Sequence, residues 1–253
     1  MAGTGETLPG GFVAEVVRIG DTVRRTPPAD AAFAAALLRH LAATAPGVAP
    51  AYLGTDERGR QVLSHIDGLV PWRDREDAAF FADAALTRLA GLVRAVHDAC
   101  AGTVLAGGAE TVCHRDLSPK NTVYRVGPAG PAPVALLDWD LAGPGRRIED
   151  VAFAGWHWAA LGGDADPAEL GRRGRLLCDA YEGTAGGLLP RSELVAVMLD
   201  QIEDTWRGID AGADRGEPAM RRLRAAGVVE TVRGWHDWLR WHRPTIEAAL
   251  GTG

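Results

Sequence analysis

Positions 114–121 of the chain read His-Arg-Asp-Leu-Ser-Pro-Lys-Asn, and this stretch carries the strongest functional signal in the sequence. Asp116 supplies a carboxylate that can orient a hydroxyl group and accept its proton. Asn121 supplies an amide oxygen, a hard donor of the kind that Mg²⁺ accepts as a ligand. The spacing therefore predicts a loop that combines a general base with a metal ligand, with His114 orienting the loop through hydrogen bonds.

A second motif follows at positions 135–140, which read Ala-Leu-Leu-Asp-Trp-Asp. The apolar residues predict a buried strand that ends at Asp138, and a strand end would hold that carboxylate rigidly enough to bind Mg²⁺. Asp140 either assists a second metal ion or caps the next turn. We favour the cap, because Asp is common at such positions.

Together the two motifs resemble the aminoglycoside phosphotransferase family, which shares the protein-kinase-like fold. The first fits the kinase pattern H-R-D-L-x-x-x-N, and the second is followed in family order by a Gly-Pro-Gly at 143–145 and by Asp150. The resemblance implies an enzyme that uses Mg²⁺ and ATP or GTP to phosphorylate a hydroxyl group. It makes Asp116 the base, Asn121 and Asp138 the metal ligands, and Asp150 a structural support of the catalytic loop.

The segment between Asp138 and Asp150 indicates the class of acceptor. A protein kinase needs a long activation segment there, ending in Ala-Pro-Glu, to bind a peptide. This chain has neither the length nor the motif. We therefore expect a small-molecule hydroxyl acceptor, with cationic antibiotics such as aminoglycosides, amino-sugars and metabolic alcohols all open.

The order of elements predicts an α+β fold of two lobes, similar to protein kinases, in which a small antiparallel sheet precedes a larger, mainly helical lobe. We assign residues 1–66 to an N-terminal nucleotide-binding lobe, 67–71 to a hinge, and 72–253 to the helical lobe. The helical lobe would contain the catalytic segment at 112–140 and a substrate-binding helical region from about 150 to 253.

Apolar periodicity and Gly/Pro turn signals place the individual elements. Strands are expected at 12–19, 22–26, 51–54, 61–66, 122–126 and 134–137, and helices at 29–45 and 74–101. The remainder, from Ile148 onward, is expected to form helices broken at Gly162-Gly163, Gly186-Gly187 and Gly212.

The nucleotide-binding side departs from the family pattern. Gly10 and Gly11 either bring backbone N–H groups to phosphate oxygens or form an ordinary turn. Arg25 occupies the place of the usual phosphate-binding Lys, with Arg24 as the alternative. The following helical stretch at 31–41 contains no acid that could pair with it. A nucleotide-binding pseudokinase without phosphoryl transfer is therefore the alternative function.

Residues 61–68 resemble the hinge strand of the family, and this stretch contains Ser64, His65 and Ile66. Their backbone N–H and C=O groups are expected to hydrogen-bond the edge of the nucleotide base. The side chain of His65 is interpreted as incidental.

The predicted substrate-binding region is rich in acidic and aromatic side chains. Asp200, Glu203 and Asp204 lie at i, i+3 and i+4 and form one negative helix face. That face either contacts amines of the acceptor or is a salt-bridged surface, and charge runs favour the surface. Trp156 is a candidate wall of the acceptor pocket. A packed stripe of tryptophans is expected near the C-terminus, at Trp235, Trp238 and Trp241.

Composition narrows the function classes. The 253 residues are 47% hydrophobic and 24% charged with a net charge of −6, which fits a globular domain without a nucleic-acid footprint. No stretch approaches the ~20 apolar residues of a membrane span, and the N-terminus is not a signal peptide, so a cytoplasmic location is expected. Cys100, Cys113 and Cys178 are expected to be reduced thiols. Nothing in the sequence indicates an oligomeric state.

Overall fold

The structure, a computed structural model, describes residues 6–7, 16–71 and 78–251. Two compact units make up the chain, Met1–Asp150 and Val151–Gly253. An antiparallel sheet comes first and helices dominate the remainder, so the predicted α+β class is confirmed.

The sheet of the first unit has five antiparallel strands in the order β1-β2-β3-β5-β4. Their bounds are β1 Glu6–Thr7, β2 Val16–Ile19, β3 Thr22–Arg25, β4 Tyr52–Thr55 and β5 Gln61–Ser64. Helix α1, Ala31–Thr44, connects β3 to β4, and its apolar face supplies Leu37, Leu38 and Leu41 to the core. The carboxylate of Asp30 accepts the backbone N–H of Phe33 at 2.9 Å and caps the helix.

The helix predicted at 74–101 is shorter in the structure. Helix α2 spans Asp83–Cys100, a 3₁₀ turn spans Ala78–Phe81, and residues 72–77 lie outside the described part. Ala82 separates the two with an extended backbone, ψ 154°. The break allows Phe80 to pack edge-on against Tyr124, with ring centroids 5.0 Å apart, so tertiary packing overrides the helical pattern.

Two short ribbons complete the first unit. Strands β7 (Thr122–Gly127) and β8 (Gly130–Leu136) form the predicted hairpin, while β6 (Thr111–Cys113) pairs with β9 (Gly143–Gly145). The β6–β9 ribbon was not predicted, because Gly-Pro-Gly has no strand pattern. It joins the chain just before the catalytic loop to the chain just after the Asp-Trp-Asp motif.

The predicted hinge lies against the β7–β8 hairpin. Leu69 and Tyr124 exchange backbone hydrogen bonds of 2.8 and 2.7 Å. Gly68 makes this approach possible, since a Cβ at that position would lie 2.6 Å from the carbonyl oxygen of Tyr124. The division into compact units falls at residue 150, and the lobe boundary at 67–71 stays a prediction.

Gly68→Ala is expected to lower the free energy of unfolding by about 1–3 kcal/mol, because the added methyl group must displace backbone. Gly91→Ala is the matched control. Gly91 lies on the exposed face of α2 with open space around it, so alanine there is expected to stabilise by about 0.5–1 kcal/mol. Denaturant unfolding of both variants tests the pair, and equal stability of the two would contradict it.

The second unit is helical. The helices are α3 (Arg147–His157, which begins before the unit boundary), α4 (Pro167–Glu182), α5 (Leu194–Asp214), α6 (Pro218–Ala225) and α7 (Val228–Leu250). The break predicted at Gly212 lies slightly later, at residues 215–217, because α5 continues through Gly212 to Asp214. A Cβ at Gly212 would lie 2.5 Å from the Met220 side chain, so this glycine permits close packing of α6.

The tryptophan stripe on α7 is only partly confirmed. Trp235 and Trp238 are half-buried, but Trp241 is 82% exposed. Each step of three residues turns by about 60° around a helix, so the third member points away from the first. Within the described ranges, no helix is long and apolar enough to cross a membrane.

Candidate active site

The catalytic loop brings Asp116, Lys120 and Asn121 together. The side-chain amide nitrogen of Asn121 donates to the carboxylate of Asp116 at 2.7 Å and to its backbone carbonyl at 2.9 Å. The ammonium of Lys120 lies 3.4 Å from the same carboxylate oxygen, Oδ2. Asn121 is buried and the side chain of Asp116 is about one-fifth exposed, so the carboxylate is held in place but accessible.

His114 contacts both this loop and the strand that ends at Asp138. Its Nε2 lies 2.8 Å from the carbonyl oxygen of Leu137, and its Nδ1 accepts the backbone N–H of Asp116 at 3.2 Å. An Nδ1 that accepts and an Nε2 that donates define the neutral Nε2–H tautomer. The ring also packs against Trp139 at 4.5 Å. His114 therefore connects the Asp116 loop to the strand that ends at Asp138, and both nitrogens are committed to structure.

Asp150 contacts the backbone of the loop through its carboxylate. Its carboxylate accepts the backbone N–H groups of His114 and Arg115 at 2.6 and 3.0 Å. The Nε2 of His97 donates to it at 3.1 Å. Burial opposes the charged form, but the hydrogen bond and charge of His97 and the backbone N–H of Arg115 together hold the pKa of Asp150 below its ordinary 3.8. A structural support of the loop would make contacts of this kind.

His97, Cys113 and Asp150 form a buried cluster whose donor atoms lie within 4.8 Å of one another. Such a cluster has the composition of a metal site. However, the thiol of Cys113 donates to the carbonyl of Arg146 at 3.2 Å, and burial together with the charge of Asp150 raises the pKa of that thiol. The oxygens of Asp150 already accept three hydrogen bonds. We therefore assign the cluster to support of the loop.

Two backbone positions in the site are strained. Arg115 and Asp138 have φ of 63° and 62°, and among the described residues they alone of the non-glycine residues have positive φ. A left-handed conformation costs such residues about 1–2 kcal/mol each. The N–H bond to Asp150 and a side-chain bond to the Pro144 carbonyl hold Arg115. Strain of this kind concentrates at functional sites, where surrounding contacts enforce it.

Arg25 reaches the end of the Asp138 strand. Its Nη1 donates to Asp138 at 3.0 Å, and its Nη2 donates to Asp140. The Arg25 side chain is only 11% exposed. The cap predicted for Asp140 is wrong: Asp140 lies inside the 3₁₀ turn Trp139–Leu141, and its carboxylate binds Arg25 instead.

Arg24, the alternative phosphate anchor, lies elsewhere. It donates to the hydroxyl of Thr22, and its Nε lies 4.0 Å from Asp56. Successive side chains of a strand point to opposite faces of the sheet. Because Arg25 lies on the face toward Asp138, Arg24 lies on the other face. Of the two, Arg25 lies beside the carboxylates of the second motif.

The donor set fits Mg²⁺. The nitrogen of the Asn121 amide is committed to Asp116, which directs the amide oxygen away from that carboxylate. Arg25 binds Oδ1 of Asp138 and leaves Oδ2 as the oxygen that can bind a metal ion. The backbone N–H of Leu137 donates to the Asn121 carbonyl at 2.7 Å, so the two predicted ligands lie on neighbouring chain segments. Carboxylate and amide oxygens are suitable ligands for this hard cation.

In the structure, fewer backbone groups of the predicted hinge are available to a nucleotide base than the sequence predicts. The backbone N–H groups of Ser64 and His65 donate to the carbonyls of Ala51 and Asp21 at 2.9 and 2.8 Å. A nucleotide base could use only the remaining backbone groups of Ser64–Ile66 unless these bonds break. The ring of His65 lies 3.2 Å from Asp67. Gly10 and Gly11 lie outside the described residues.

The predicted acceptor residues belong to the second unit. On α5, Glu203 is paired with Arg207 at 2.8 Å, whereas Asp200 and Asp204 are exposed. Trp156 is 4% exposed, and its indole N–H donates to the side chain of Gln201 at 3.3 Å. Trp156 therefore packs in the core of its unit, and the surface interpretation holds for Glu203.

Two side-chain pairs of the first unit could not be predicted from the sequence. His97 is the buried partner of Asp150, and Asp140 is the partner of Arg25. Neither has a local signal, since a lone histidine on a helix and an acid in a turn are common. The one available clue to Asp140 is the acid-free helix after Arg25, which requires an acid from elsewhere.

Comparison with known proteins adds independent information. The model of the phosphotransferase enzyme family matches residues 82–186, which contain the catalytic loop, Asp138 and Asp150. The trifolitoxin immunity protein of Rhizobium leguminosarum bv. trifolii is 31% identical over 277 residues, covering 96% of this chain and 97% of that protein.

Solved structures share the fold. A choline/ethanolamine kinase family protein from Mesorhizobium loti superposes with a TM-score of 0.59 at 20% identity, covering 100% of this chain and 94% of the other. The protein APH(2")-IIia, solved with GDP and kanamycin, gives a TM-score of 0.57 at 14% identity, with coverage of 99% and 94%. The predicted protein-kinase-like fold is thereby confirmed.

Proposed function

Because this chain belongs to the phosphotransferase enzyme family, we propose that it transfers the γ-phosphoryl group of ATP or GTP to a hydroxyl group of a small molecule. The observation that carries the proposal is the hydrogen-bonded connection from Asp116 through Asn121 to the backbone beside Asp138. Phosphoryl transfer needs a base and metal ligands arranged around one phosphate. These three residues supply both.

Asp116 would act as the base. Asn121 and Lys120 occupy its Oδ2, which leaves Oδ1 for the acceptor hydroxyl. As the acceptor oxygen bonds to the γ-phosphorus, the bond between that phosphorus and the β–γ bridging oxygen breaks, the nucleoside diphosphate leaves, and the hydroxyl proton passes to Asp116. The two donors on Oδ2 keep the carboxylate in one orientation throughout.

Asn121 and Asp138 would hold Mg²⁺, which when bound neutralises phosphate charge. Arg25 would contact the phosphates as the substitute for the usual lysine, because its guanidinium lies at the end of the Asp138 strand. Backbone groups of Ser64–Ile66 remain the proposed contacts of the nucleotide base. Gly10-Gly11 remains the proposed phosphate-binding loop. The complete set of Asp116, Asn121 and Asp138 argues against the pseudokinase alternative.

The acceptor is proposed to be a hydroxylated toxin or antibiotic that carries amines. The name of the 31% identical relative, an immunity protein, supports a protective role, and kanamycin is bound by the structural neighbour APH(2")-IIia. Asp200 and Asp204 are exposed acids on α5 that could attract a cationic acceptor. A cytoplasmic location would suit such a role.

Nucleotide consumption in the presence of Mg²⁺ tests the proposal, with ATP and GTP as donors and with aminoglycosides, amino-sugars and amino alcohols as acceptors. Mass spectrometry of the acceptor should show the addition of one phosphoryl group. Thermal shift with each Mg-nucleotide provides a second measurement. Absence of a shift with both nucleotides would overturn the proposal.

A further inference from the structure

The helix that follows Arg25 supplies no acidic partner for its guanidinium. Helix α1 contains no acid, and where it lines the small cavity beside Arg25 it presents Ala34 and Leu38, both buried. A guanidinium with an 11% exposed side chain requires compensating negative charge. That charge comes from residues at the end of the Asp138 strand.

Arg25 divides its guanidinium between two carboxylates. Nη1 binds Asp138 and Nη2 binds Asp140, so each carboxylate has its own nitrogen. Asp140 and Ala34 line the same cavity, and this places the Asp140 carboxylate beside the helix face that lacks an acid.

The two carboxylates cannot have the same role if Asp138 binds metal. We infer that Asp140 is the positioning residue of Arg25, and that it holds the guanidinium in place for the phosphates of the nucleotide. Asp140 thus takes the part that an acid on α1 would otherwise play. That Arg25 is held for a nucleotide rests on the proposed function, but the Arg25–Asp140 contact itself exists without nucleotide.

Asp140→Asn is the decisive variant, Asp138→Asn is the comparison at the other carboxylate, and Asp140→Glu is the conservative change. The control is Glu57→Gln, at an exposed acid in the turn between β4 and β5. The first measurement is ¹⁵N relaxation of the Arg25 guanidinium in the ligand-free protein. The second is the affinity for ADP in EDTA, by calorimetry. Asp140→Asn should loosen the guanidinium and weaken ADP binding about tenfold. Asp138→Asn should loosen the guanidinium less than Asp140→Asn does, while Asp140→Glu and Glu57→Gln should remain close to the original protein in both measurements.

Two results would overturn the inference. One is a guanidinium that stays ordered in Asp140→Asn. The other is a guanidinium that Asp138→Asn loosens at least as much, because Asp138 would then be the holder. If the unaltered protein binds no nucleotide, the proposed function fails, while the relaxation measurement still decides the role of Asp140.

Discussion

Asp116→Asn is expected to lower kcat by about 10²–10⁴-fold, the range by which general bases accelerate proton transfer. The amide keeps the shape of the side chain but cannot take the proton of the acceptor hydroxyl. Nucleotide affinity should change little, since the predicted nucleotide contacts lie at Arg25 and the hinge. The measurement is steady-state turnover with any acceptor that stimulates the unaltered protein, together with thermal shift by Mg-nucleotide.

Glu57→Gln is the control, because Glu57 is an exposed acid in the turn between β4 and β5 and should leave turnover unchanged. A normal thermal shift with lost turnover in Asp116→Asn would locate the defect in the chemical step. Turnover within a few-fold of the unaltered protein would remove Asp116 from the proposed mechanism.

Asp150→Asn is expected to have the largest effect on stability, a loss of about 3 kcal/mol. An asparagine would turn its NH₂ group toward one of three donors, the N–H groups of His114 and Arg115 or the ring of His97. A buried donor would then lack its acceptor. Asp98→Asn is the control, since Asp98 pairs with Arg94 and Arg147 but is 46% exposed and should cost less than about 1 kcal/mol.

The same variant should change the pH dependence of unfolding. Because the folded pKa of Asp150 lies below its ordinary 3.8, the unfolded state binds more protons in that range. The stabilisation is therefore complete above pH 3.8 and is lost as the pH falls through the folded pKa. Denaturant unfolding between pH 3 and 7 should show the difference between the two proteins narrowing at the acidic end, and a constant difference would contradict this assignment.

The fold could be predicted well where the chain carries its own signals. The strand pairs β2–β3, β4–β5 and β7–β8 have alternating or apolar patterns with turn residues between them, and helix α1 ends at Thr44, just before Pro46-Gly47. The break before α2 was missed because the packing of Phe80 on Tyr124 decides it. The β6–β9 ribbon was missed because pairing between distant residues leaves no periodic pattern in a Gly-Pro-Gly segment.

The family and the class of enzyme, a small-molecule kinase, could be predicted because the catalytic loop and the Asp138 strand encode them locally. A base, an amide ligand and a carboxylate ligand must each have the right side chain at a set spacing, and such requirements are visible in one dimension.

Only the tertiary structure decided which charges compensate one another. Asp140 pairs with Arg25 across 115 residues of sequence, and His97 pairs with Asp150 across 53 residues. A buried charge needs a partner close in space but not at any particular distance along the chain. The sequence by itself therefore determined which reactive groups the protein carries, while folding determined which residues hold them in position.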